Sequence, residues 1–252
     1  MDAPLLELAI QRKRFGTALI LADLHQQVRA GEVIAVVGAS GCGKSTLLRI
    51  ISGLEQRYEG HVLLDGQPVT GLSRDIGFIF QEPRLFPWLT VTENVGFDLG
   101  RTWRRQPAVA RRIAELLAEV GLSALGDALP KQLSGGQAQR GASARGLFTQ
   151  PRVLLLDEPF SAVDAFTRMA LQDLLLRVAR HHGTTVLLVT HDIDEATTLA
   201  DRVWVLDSHP DTGGSLAADI AIPLPQPRQR DLSALATHRS AVLHALQAVH
   251  AI

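Results

Sequence analysis

Gly38-Ala39-Ser40-Gly41-Cys42-Gly43-Lys44-Ser45, continued by Thr46, is the stretch that decides the fold. It reads glycine, four residues, then Gly-Lys-Ser. The short unbroken apolar run Ile34-Ala35-Val36-Val37 precedes it, and a segment with helical spacing from Ser45 to Ser52 follows. Such a run is the pattern of a strand buried on both faces. Glycines at a strand-to-helix turn let successive backbone N–H groups curl round an anion, and the positive end of the helix dipole points at the same place. A lysine there reaches the β- and γ-phosphates of a nucleotide, and a serine hydroxyl ligates magnesium. Gly38, Ala39, Ser40, Gly41, Cys42, Gly43, Lys44, Ser45 and Thr46 are therefore candidate nucleotide-binding residues, with Lys44 also catalytic and Ser45 a metal ligand. A glycine turn that merely connects two elements is the bland alternative; the flanking buried strand and helix argue against it.

A second apolar run, Val153-Leu154-Leu155-Leu156, delivers Asp157 and Glu158 at its carboxyl end, where ligands sit in open α/β sheets. One of the two carboxylates can hold magnesium through water while its neighbour polarises the attacking water. Alone, a strand ending in Asp-Glu is weak evidence, because such acids often cap a turn. Paired with the glycine loop it is strong. Leu133-Ser134-Gly135-Gly136-Gln137 lies between the two. Physically it is an N-cap serine and two glycines opening a helix, which exposes several donors to an anion.

With that pentapeptide between the glycine loop and the Asp-Glu strand, the chain resembles the ABC ATPase family from about Leu5 to its last helix. The resemblance implies an α/β P-loop NTPase core with an N-terminal antiparallel β subdomain and an inserted helical subdomain. It implies ATP and Mg2+ as cofactors, and a head-to-tail homodimer in which one subunit's Ser134, Gly135, Gly136 and Gln137 close over ATP held by the other. The implied partners are an integral membrane permease and, indirectly, a solute-binding protein. Gln81 resembles the glutamine that contacts magnesium and senses the permease. Ser161-Ala162-Val163-Asp164 resembles the loop that crosses the dimer interface, so Asp164 joins the nucleotide set. His191, after Leu187-Leu188-Val189-Thr190, resembles the histidine that contacts the γ-phosphate. Phe15 sits where the family places an aromatic on adenine, though core packing would equally place it there. Gly141 and Gly146 depart from the family's better helix formers, each at a cost of about 1 kcal/mol relative to alanine.

Gln81-Glu82-Pro83-Arg84-Leu85-Phe86-Pro87-Trp88, then Thr90-Val91-Thr92-Glu93-Asn94-Val95, resembles the branch that energises import of nitrate, sulfonates and taurine. The tail Ile222-Pro223-Leu224-Pro225-Gln226-Pro227-Arg228 resembles it too. Importers of pyrimidine vitamin precursors share much of this pattern. An apolar stretch after a sensing glutamine suits docking of a permease helix, so Phe86 to Trp88 is either that surface or core. A non-transport ABC ATPase would bring tandem cassettes, long coiled coils or basic regions, none of which the sequence contains. A small-molecule P-loop kinase would lack the Leu133–Gln137 signature and His191.

Composition sets the outer bounds. In 252 residues, 46% are hydrophobic and 20% charged, the balance of a domain with a real core. A net charge of -1 disfavours a nucleic-acid partner. Cys42 is the only cysteine, which excludes an internal disulfide and suits a reducing compartment. Helix N-terminal donors favour its thiolate unless burial outweighs them. The apolar runs fall far short of the ~20 residues a membrane span needs. The first ten residues carry acids where a secretory signal carries basic residues. The expected location is thus the cytoplasmic face of the inner or cell membrane, peripheral, through the permease. Residues 1–82 and 151–222 read as the α/β core, 83–150 as the helical subdomain, and 223–252 as an extended linker and final helix. Arg101, Arg104, Arg105, Arg111 and Arg112 read as a solvated helix face and loop.

Overall fold

In the computed structural model, residues 3–161, 163–208, 212–229 and 233–250 are described. Ala162, Arg230 and Leu232, and the side chains of Arg101 and Arg104, lie outside the described residues.

In chain order the elements begin with β1 (Leu6–Phe15), β2 (Ala18–Val28), β3 (Val33–Gly38) and α1 (Lys44–Ile51). Then come β4 (Glu59–Leu64), β5 (Gln67–Pro68), β6 (Ile76–Ile79), α2 (Val91–Val95), α3 (Pro107–Glu119) and α4 (Gly135–Phe148). The chain continues with β7 (Val153–Asp157), α5 (Ala165–His181), β8 (Thr185–Val189) and α6 (Ile193–Leu199). It ends with β9 (Arg202–Leu206), β10 (Leu216–Ala221) and α7 (Ser233–His250). Contacts divide it into two units, Met1–Ser73 with Thr185–Ile252, and Arg74–Thr184.

The first unit holds two sheets. An antiparallel sheet of order β2-β1-β4-β5 buries the alternating Leu6, Leu8 and Ile10 with Leu21, Leu24 and Val62, the period-2 pattern that makes a one-sided strand. In the other, β3 runs parallel to β8 and β9, and β10 adds antiparallel to β9. Val33 to Val37 and Val186 to Val189 are all buried, as their unbroken apolar sequence requires of central parallel strands. The second unit pairs β6 with β7 in parallel and carries α2 to α5. The α/β class, the N-terminal antiparallel sheet and the helical insertion are as the sequence implies.

Gly146 of α4 explains one departure in the signature helix. A Cβ there would stand 2.9 Å from Ile79 Cγ1, so α4 packs against β6 too closely for any side chain. Gly141 is different: its nearest neighbour would be Leu85 Cδ1 at 3.4 Å.

Candidate active site

Strand β3 ends at Gly38, and the chain turns through Gly41 (φ 85°) into Gly43 (φ 101°), the N-cap of α1. Gly43 needs both its freedoms: the positive φ, and the missing side chain, since a Cβ would meet Leu21 Cδ2 at 2.5 Å. No side chain caps α1, while a Cβ at Gly41 would have nothing within 4 Å. The turn therefore ends in an uncapped helix terminus beside open space, the arrangement that accepts a phosphate. Lys44 is 7% exposed and folds back along the loop, donating to the carbonyls of Gly38 (2.9 Å) and Ala39 (2.7 Å). Cys42 is buried, and burial pushes its thiol up despite the opposing pull of the Lys44 ammonium. Of the two effects weighed at this cysteine, desolvation wins over the helix terminus.

His191 follows β8. The backbone N–H of Thr190 donates to Val36 of β3 (3.1 Å), so the His191 turn and the glycine loop leave neighbouring strands at the same end of the sheet. Its geometry is fixed by a polar knot. The Thr190 hydroxyl donates to the buried Glu195 carboxylate and accepts from the N–H of Asp192 (3.0 Å); the Asp192 side chain accepts from the N–H of Glu195 (3.1 Å). His191 itself is exposed. Phe15 ends β1, 48% exposed, with Lys13 Nζ 4.1 Å from its ring centroid. It lines a cavity of about 460 Å³ with Leu54 and Gln56, so it is no core aromatic.

In the second unit, β6 and β7 are in parallel register with Ile79 opposite Leu156. Gln81 and Glu158 each lie two residues beyond that pair. Gln81 Nε2 donates to Ser161 Oγ (3.2 Å), and Ser161 Oγ donates to the Glu158 carbonyl (3.0 Å). Glu158 has φ 47°, a left-handed conformation that a non-glycine residue adopts at a cost of about 1–3 kcal/mol. Asp157 closes β7 half-buried.

Ser134 is the N-cap of α4, as expected. Its hydroxyl accepts from Gln137 N–H (3.2 Å), and the Gln137 side chain accepts from Ser134 N–H (2.8 Å), a complete capping box. Ser134 and Gly135 are exposed. Asp164 caps α5, accepting from the N–H groups of Phe166 (3.1 Å) and Thr167 (3.0 Å). The hydrogen bond from Thr167's side chain, then the backbone donors, hold its carboxyl below the usual carboxylate range. A Cβ on Gly136 would stand 2.6 Å from Thr167 Cγ2, so the two helix starts touch. Beside them Phe166 is 82% exposed.

Sequence reading missed what holds the segment after Gln81. Asn94 is wholly buried: its amide donates to the carbonyls of Phe86, Leu89 and Thr90 and accepts from Phe86 N–H. Arg145 donates to the carbonyls of Pro83 and Arg84. The loop so pinned presents Trp88, 71% exposed, with Phe86 packed between it and Phe97. Trp88 is surface, not core. The Thr90–Glu93 capping box beside Asn94 was the legible signal.

A family model described as ABC transporter matches residues 21–161. An aliphatic sulfonates import ATP-binding protein of Xanthomonas axonopodis pv. citri (strain 306) is 57% identical over 256 residues, covering 99% of this chain and 99% of that relative. Among solved structures, a component of the Clostridium perfringens ABC transporter complex cbiONQ matches with TM-score 0.78 and 27% identity, over 88% of this chain and 90% of that one. An ATP-binding cassette solved as a dimer in a post-hydrolysis state, bound to ADP and Pi, matches with TM-score 0.73 and 32% identity, over 87% and 100%.

Proposed function

The chain belongs to the ABC transporter family, and from that premise we propose that it is the ATP-hydrolysing subunit of an importer of aliphatic sulfonates, working beneath a separate membrane permease. The observation that carries this reading is the end-to-end correspondence with a relative named as an aliphatic sulfonates import ATP-binding protein. No helix among the described residues is long and apolar enough to cross a membrane, which suits a subunit whose permease is another chain. A solute-binding protein completes the proposed importer.

The site chemistry follows from residues already placed. Backbone donors of residues 38–46 take the phosphates. The Lys44 ammonium, parked on two loop carbonyls, neutralises charge developing on the γ-phosphate. Ser45 offers a hydroxyl, Asp157 a carboxylate and Gln81 an amide oxygen, each a hard donor of the kind magnesium takes, and a bound magnesium would supply charge neutralisation to the phosphates. Glu158 takes the proton of the attacking water. His191 donates to the γ-phosphate, and Phe15 stacks on adenine with the face that Lys13 leaves open.

Ser134, Gly135, Gly136, Gln137 and Asp164 serve the second copy of a head-to-tail homodimer. The exposed Phe166 and Met169 of α5 would be covered by that interface. Gln81, bonded to the Glu158 turn, passes hydrolysis to the segment ending in Trp88, where the permease docks. Residues 83–150 form the helical subdomain of this reading.

Deleting the gene should abolish growth on ethanesulfonate as sole sulfur source, with wild-type but not Glu158→Gln protein restoring it. Unimpaired ethanesulfonate uptake, with loss of nitrate, taurine or a pyrimidine precursor instead, would overturn the sulfonate assignment.

A further inference from the structure

The proline-rich tail reads in sequence as an extended linker; in the structure it bends at Gln226 and Pro227, and the next residue is a deeply enclosed cation. The Arg228 side chain has 0% of its surface exposed. Its guanidinium donates to the carbonyls of Thr197 (3.0 Å), Thr198 (3.4 Å) and Ala200, which are the last carbonyls of α6, and to those of Ile222 (2.8 Å) and Leu224 (2.9 Å) in the tail. Gln226 Nε2 adds donors to Thr198 (2.9 Å) and Leu199 (3.0 Å). A helix leaves its final carbonyls without intrahelical partners. Here two side chains from the tail take four consecutive ones, with a positive charge at the negative end of the helix dipole.

What that helix carries gives the clamp its meaning. α6 has only seven residues, too few to be stable unaided. Asp192 is its N-cap and Glu195 lies in its first turn, and both belong to the knot that fixes the turn at His191. The same C-terminal segment reaches the other end as well: Arg239 of α7 pairs with Asp194 (2.6 Å) and, with Leu243, lines a cavity of about 500 Å³ that His191 also borders.

We propose that Arg228, assisted by Gln226, is a positioning residue for His191, acting through α6. The clamp fixes the helix axially, the helix fixes Glu195, and Glu195 with Thr190 sets the direction of the histidine. This rests on the reading of His191 as the γ-phosphate contact. The Arg228 side chain is enclosed and its donors go to carbonyls, so its loss should leave ground-state ATP binding alone and slow turnover.

The test is a double-mutant cycle on the full chain with its permease, read as steady-state ATP hydrolysis, with kcat and KM taken from the dependence on ATP concentration. Arg228→Ala should lower the hydrolysis rate about tenfold, with KM for ATP within about twofold of wild type. Arg228→Lys should not rescue it, because an ammonium cannot present the planar fork that spans several carbonyls. In a His191→Ala background, Arg228→Ala should change the rate by less than about twofold, the non-additivity of two residues acting as one device. Should Arg228→Ala melt below the assay temperature, Gln226→Ala, which removes two of the carbonyl contacts, carries the same cycle. An equal loss in both backgrounds, or a wild-type rate in Arg228→Ala, overturns the positioning role. A wild-type rate in His191→Ala alone would instead remove the assignment of His191 on which the proposal stands.

Discussion

Glu158 and Cys42 show how much a single residue's surroundings decide. The motif at 152–159 was legible because its chemistry is local in sequence: an apolar strand, then two acids. The left-handed backbone at Glu158 and its tie through Ser161 to Gln81 were not legible, since Gln81 lies 80 residues from Ser161. Glu158→Gln keeps the side chain's shape and removes the proton acceptor. ATP affinity should stay within about threefold while hydrolysis falls by about 10²–10⁴, the usual worth of a general base. Phosphate release beside a nucleotide titration checks this, and near-normal turnover would remove Glu158 from its role. For Cys42 the helix terminus suggested a reactive thiolate, but burial raises the thiol instead. A maleimide at neutral pH should therefore leave the native protein almost unlabelled and modify it fully in denaturant. Fast native labelling would mean that the loop opens far more than its packing allows.

The sequence located α1 to within one residue at each end, the serine that opens α4, and the buried strands β3 and β7, whose apolar residues run without interruption. It passed over α5, where Gln172 is buried while Phe166 and Met169 are exposed, so apolar and polar residues do not sort by face. It passed over β10 as well, which has no fully buried position. The two glycines of α4 looked alike in sequence and are not alike in place. Gly141→Ala should stabilise by about 0.5–1 kcal/mol, the helix-propensity gain in a site with room. Gly146→Ala meets Ile79 and should cost about 1 kcal/mol net, lowering Tm by about 2–4 °C. Thermal melts of the two variants separate them, and matching shifts would contradict the close packing of α4 on β6. In the segment after Gln81, Trp88→Ala should leave stability within about 0.5 kcal/mol while weakening the hold on the permease, as a pull-down would show. Asn94→Ala should cost about 1–3 kcal/mol by stranding buried carbonyls.

Across the chain, the sequence supplied the family and, at 38–45, 133–137 and 152–159, the motifs proposed to bind nucleotide. It could not supply the tail's grip on α6, because Arg228 binds carbonyls 28 to 31 residues away that carry no side-chain signature. In the proposed head-to-tail dimer, each ATP is held by one subunit's Lys44 and closed over by the other's Ser134. Lys44→Ala removes the phosphate grip, and Ser134→Arg blocks the signature face, so either homodimer carries two damaged sites. In a mixed dimer both lesions fall in one site, and the other combines an intact Lys44 with an intact Ser134. Single-turnover ATP hydrolysis should therefore reappear when the two inactive variants are mixed. Confirmed heterodimers that hydrolyse ATP only at background rate would contradict the head-to-tail arrangement.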